Sequence, residues 1–149
     1  MIFNLDTIYE NIHLTDIPKG YERNSIETAI NQIKTLGLEE GLLQLYPQGI
    51  YTEEMLKLLL FHKNNFTVVS IESKDSRTKL RFETIKYKAI VSIELEMSDR
   101  GNKYRQLSLG FGFGNPIKLH SYEDTNMHWS DPFMEKIEHI YRIIRAGIE

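Results

Sequence analysis

The residues best equipped for chemistry fall in one short stretch, His120-Ser121-Tyr122-Glu123-Asp124-Thr125-Asn126-Met127-His128. A histidine titrates near neutral pH, so an imidazole here suits general acid or base work. His120, Glu123, Asp124 and His128 are also donor types that bind zinc or manganese, and a carboxylate can orient a ligating imidazole. Their spacing matches no standard metal motif, and the competing reading is a solvated polar loop. His13, His62 and His139 are scattered, with His139 expected on the polar side of a helix. There is no Gly-x-Ser-x-Gly turn and no cysteine, so covalent catalysis has no foothold. No catalytic residue and no cofactor are assigned, and the balance is against an enzyme.

Gly110-Phe111-Gly112-Phe113-Gly114 is the most conspicuous run. It lacks the G-x-G-x-x-G spacing of a dinucleotide fingerprint and the Gly-Lys-Ser/Thr of a P-loop. GFGF overlaps the centre of the RNP1 motif of RNA-recognition domains, but Leu109 replaces the basic residue, Gly114 the apolar one and Pro116 the final aromatic. Stacking phenylalanines must face out of the sheet. Phe111 and Phe113 share parity with Leu107 and Leu109, so they are expected to face in. The glycines are expected to let a neighbouring strand approach closely.

What must position these residues is a set of strands. Ile93, Leu95 and Met97 alternate with Ser92, Glu94 and Glu96, and Leu107, Leu109 and Phe111 alternate with Gln106, Ser108 and Gly110. A period of two marks a half-buried strand. Asp99-Arg100-Gly101 reads as a three-residue loop with a G1 bulge. That loop sets Ser98 opposite Asn102, Ile93 opposite Leu107, Val91 opposite Leu109 and Ala89 opposite Phe111. Helices are expected over the face with Val91, Ile93, Leu107, Leu109 and Phe111. The other face carries Glu94, Glu96, Tyr104, Gln106, Ser108, Gly110 and Gly112.

Upstream, residues 4–13 have helical spacing, and Thr15 to Arg23 reads as a loop. Asn24 with Glu27 predicts a helix start and Gly37 its stop. Leu38 to Tyr46 reads as a short helical piece closed by Pro47. Thr52 reads as the cap of a core helix through Met55–Phe61. Phe66 to Ser73 reads as a strand, Lys74 to Arg77 as a turn, and Leu80 and Phe82 as part of the next strand. Parity then changes, and an unbroken strand from 78 to 98 would span about 70 Å, so a bulge or turn is required near Ile85 to Lys88. Asp131-Pro132 opens a last helix striped with Phe133, Ile137, Ile140, Tyr141 and Ile144. The fold class is therefore α+β: N-terminal helices, an antiparallel meander of about four strands and a C-terminal amphipathic helix.

A chain of 149 residues is most simply one domain, large enough to hold together without disulfide or metal. No signal peptide and no membrane-spanning run is read, so the expected location is cytoplasmic, with no membrane partner. A net charge of −3 argues against general nucleic-acid binding.

These observations favour a small protein-interaction module, of the kind found in regulators, inhibitors, immunity-type and accessory proteins. Its expected partner surface is Glu94, Glu96, Tyr104 and Gln106, with Trp129 as an aromatic anchor, facing a basic target. One alternative is an enzyme or a small-ligand or metal binder using the 120–128 loop. Another is a nucleic-acid binder using Lys79, Arg81, Lys86 and Lys88 around Tyr87. A homo-oligomer is open, through the last strand or the strand at Phe66 if either is a sheet edge.

Overall fold

The computed structural model describes residues 22–49, 55–74, 77–125 and 130–149. The expected helix over 4–13, the Thr52 cap, the centre of the turn before Arg77, His128 and Trp129 lie outside the described residues.

Helix α1, Glu22–Thr35, places Ile26, Ala29, Ile30 and Ile33 on one buried face. It begins two residues before Asn24, which lies inside the helix instead of capping it. Gly37, at φ +74°, supplies the left-handed residue that ends it, as the sequence suggests. Four antiparallel strands follow in sequential order: β1 Gln44–Gln48, β2 Leu56–Phe61, β3 Asn65–Lys74 and β4 Arg77–Lys86. A 3₁₀ turn, Tyr87–Ala89, breaks the chain where the parity change requires it. A second antiparallel sheet contains β5 Ser92–Ser98, β6 Tyr104–Gly110 and β7 Ile117–His120. Helix α2, Ser130–Ile148, completes the α+β architecture.

Two expected helical pieces are strands. Residues 44–48 form β1 and 56–61 form β2. The reason is burial on both faces. Leu58 and Leu60 share a face with Val69 and Phe82, where the Ser25–Thr78 hydroxyl pair (3.0 Å) places α1. Leu59 and Phe61 face the sandwich interior, where Phe61 stacks on Phe66 and Tyr46 meets Phe133 of α2 edge-on at 5.1 Å. A strand covered twice shows no alternation, and its apolar run imitates a buried helix. Pro47 is tolerated because β1 is an edge. The strand at Phe66, by contrast, is interior, paired with β2 and β4.

The β5–β6 hairpin keeps the expected parity but shifts its register by two residues. Ile93 pairs with Leu109, Leu95 with Leu107 and Ser98 with Tyr104, so the loop runs over residues 99–103. An even shift leaves every side chain on its face. This register sets two half-buried side chains against Leu107 and Leu109, both fully buried. It also lets Arg105 donate to Ser98 O and pair with Asp99 at 3.1 Å. Two residues expected inside are outside. Phe113 is 92% exposed because β6 ends at Gly110 and the chain turns away. Val91 is 72% exposed because it precedes β5 at the open corner. At Gly110 a Cβ would meet only the Oγ of Ser92, paired opposite, a side-chain end that can rotate aside.

Candidate functional site

The outer face of the second sheet gathers most of the sequence-predicted surface. The pairs Glu94–Ser108–Lys118 and Glu96–Gln106–His120 form two rows across β5, β6 and β7. Glu94 and Glu96 are exposed. Tyr104 Oη donates to Glu96 Oε1 at 3.0 Å, and this bond pushes the phenol's pKa up. The Tyr104 ring stacks on His120, with centroids 4.8 Å apart. Gln106 Nε2 donates to Ser108 Oγ at 3.3 Å. His120 Nδ1 accepts the backbone N–H groups of Tyr122 (3.1 Å) and Glu123 (3.0 Å), so the neutral ring carries its proton on Nε2. The result is a flat polar platform: two carboxylates beside a braced aromatic–imidazole stack.

Of the candidates in the 120–128 stretch, the described carboxylates Glu123 and Asp124 point apart. Asp124 turns inward, and its Oδ2 accepts from Tyr46 Oη (2.7 Å), His120 N (2.8 Å) and Gln48 Nε2 (3.1 Å). Burial pushes this carboxyl's pKa up, and the three hydrogen bonds work against that rise. Burial and the neighbouring Asp124 charge hold the Tyr46 phenol well above its ordinary value. Glu123 is exposed. Among the described residues no three His, Cys, Asp or Glu side chains converge as a metal site.

The basic residues around Tyr87 also separate. Lys79 and Arg81 share one face of β4, Lys86 lies on the other, and Lys88 sits in the 3₁₀ turn. Tyr87 is fully buried and donates to His62 O at 2.6 Å, so its ring offers no stacking platform to a base. Arg81 instead helps line a cavity of about 240 Å³ with Lys57 and Ser70, floored by Leu59, Val68 and Ile117.

Sequence reasoning missed the network beside β1. Lys136 is buried and donates to Gln44 Oε1 (2.9 Å) and Leu45 O (3.0 Å), while Gln44 Nε2 meets His139 Nδ1 at 3.0 Å. Burial brings the Lys136 pKa down to about 8 and lowers that of His139, which Arg142 and Lys136 lower further. His139, expected to be surface, thus lines a cavity of about 430 Å³. Its spacing, one turn from Lys136 and Arg142, was the available signal. Arg105, held by Glu138 of α2 at 2.8 Å and by Asp99, was missed because its odd parity had promised an apolar site.

Residues 4–135 match the family described as protein of unknown function (DUF3908), and the chain belongs to that family. No curated protein matches it. Among solved structures it is similar to a DUF1696 family protein with a pleckstrin-homology domain from Shewanella loihica PV-4. That match has 16% identity, covers 80% of this chain and 92% of that one, and has a TM-score of 0.50. A second similar structure is a pleckstrin homology domain from Shewanella amazonensis SB2B, with 17% identity, 80% and 97% coverage and a TM-score of 0.47. The first likeness is one of fold.

Proposed function

We propose that this member of a family of unknown function is a protein-interaction module that binds its partner through the outer face of the second sheet. The observation that carries the reading is the platform itself. Glu94, Glu96, Tyr104 and Gln106 stand together on the two arms of the β5–β6 hairpin, and His120 from β7 braces Tyr104. A stacked pair loses little entropy on binding, and exposed carboxylates favour a basic partner surface. Trp129 is the proposed aromatic anchor. The pleckstrin-homology-like architecture agrees, since such domains often mediate protein or lipid binding. Among the described residues no helix is long and apolar enough to cross a membrane.

The test is co-purification. Tagged protein recovered from its own cells at moderate salt is expected to bring one stoichiometric protein. Glu94→Lys with Glu96→Lys is expected to release it, and Trp129→Ala to weaken it. Recovery of the chain alone, or equal recovery by wild type and the double variant, overturns the reading.

A further inference from the structure

The two sheets expose four strand edges, those of β1, β4, β5 and β7, and two are occupied. Along β1, Lys136 caps Leu45 O, and Pro47 has no N–H to offer a further strand. Along β7, Gln48 Nε2 takes Lys118 O at 2.8 Å and Asp124 takes His120 N. Among the described residues the edges of β4 and β5 remain. They meet at one corner, joined by the Tyr87–Ala89 turn, and their charges are opposite: Arg77, Lys79 and Arg81 on β4, Glu94 and Glu96 on β5.

Self-pairing of β5 is disfavoured, because antiparallel pairing about Leu95 sets carboxylate against carboxylate. Pairing of β4 with itself sets Lys79 against Arg81 about Leu80, or, about Phe82, joins Arg81 to Glu83 but sets Leu80 against Thr84. Pairing of β5 with β4 satisfies both. An antiparallel register with Glu94 opposite Arg81 also sets Glu96 opposite Lys79, Leu95 opposite Leu80 and Ile93 opposite Phe82. All four apolar residues are only partly buried in the single chain. Charges then share one face of the joint and apolar side chains the other, the condition for a specified register.

We propose that a second copy of this chain is the occupant: β5 of one protomer pairs with β4 of the other. Because both edges flank one corner, a two-fold axis forms both pairs at once and closes a dimer. This inference shares Glu94 and Glu96 with the outer-face reading, which needs neither Lys79 nor Arg81, so the two are separated by variants of β4.

Sedimentation velocity of the full chain at about 100 μM tests it. Wild type is expected to run as a dimer. Glu94→Lys with Glu96→Lys, and separately Lys79→Glu with Arg81→Glu, are each expected to raise the dissociation constant at least about tenfold. The four changes combined restore opposite charges and are expected to restore the dimer. Hydrogen exchange on wild type gives a second readout that needs no variant: amides of β4 and β5 should gain protection as concentration rises. A monomeric wild type overturns the proposal, as do a double variant that stays dimeric, a folded fourfold variant that stays monomeric, and protection independent of concentration. A co-purified partner kept by Lys79→Glu with Arg81→Glu, when the dimer is lost, separates the two interfaces.

Discussion

Replacing Asp124 by alanine should cost this fold more than any other loss of a single polar side chain at the seam between the sheets. Its Oδ2 accepts from Tyr46 Oη, His120 N and Gln48 Nε2. Gln48 Nε2 keeps Lys118 O, so two donors lose their acceptor. The Tyr46 side chain is fully buried, and a buried donor left unpaired costs about 1–3 kcal/mol. The two together give about 4 kcal/mol, less whatever water entering the space recovers. For a chain of this size each kcal/mol lowers Tm by about 2–4 °C, so the melt should fall by roughly 10 °C. Tyr46→Phe removes one donor and leaves the carboxylate two, and should cost about 1–2 kcal/mol. Urea unfolding of wild type, both single variants and the double at pH 7 gives the coupling energy directly. A loss under about 1 kcal/mol for Asp124→Ala, or additive single variants, would refute the claim that this carboxylate locks β1 to the turn after β7.

Two further outcomes follow from buried groups. Burial holds Lys136 at about pKa 8 against 10.5, so between those pH values the unfolded chain keeps a proton that the folded chain has released. Stability from this group therefore rises as pH climbs from about 8 to 10.5, on the order of 3 kcal/mol in full, and is lost as pH falls through 8. Urea midpoints across that window should show the rise in wild type and its absence in Lys136→Met. At Gly147, an added methyl would stand 2.6 Å from Lys63 O and closer still to the Tyr87 ring. A backbone carbonyl cannot step aside, so Gly147→Ala should destabilise by about 1–3 kcal/mol in the same assay.

How much of this was legible in the sequence depended on how many faces each element buries. β5 and β6 bury one face, and their alternation was read correctly even though the loop length, and with it the register, was misjudged by two. β2 buries both, and the run Leu58-Leu59-Leu60-Phe61 carries no period to read; only its length, six residues, pointed to a strand. Phe113 was misplaced because parity was carried past Gly110, where the strand ends. At the platform, Glu94, Glu96, Tyr104 and Gln106 were found by parity alone. The stack of His120 on Tyr104 depended on how β7 pairs with β6, which a four-residue strand after a loop does not announce. The inward turn of Asp124 was likewise invisible, because its partners Tyr46 and Gln48 lie 78 and 76 residues away.

The most direct measurement is a titration of the co-purified partner against purified wild type and the Glu94→Lys, Glu96→Lys variant, with melts run in parallel. Both carboxylates are exposed, so melts run below the dimer's dissociation constant should agree within about 0.5 kcal/mol. If the outer face binds the partner, the variant's affinity falls by at least about tenfold, and added salt narrows the gap. Equal affinities at equal stability would contradict it.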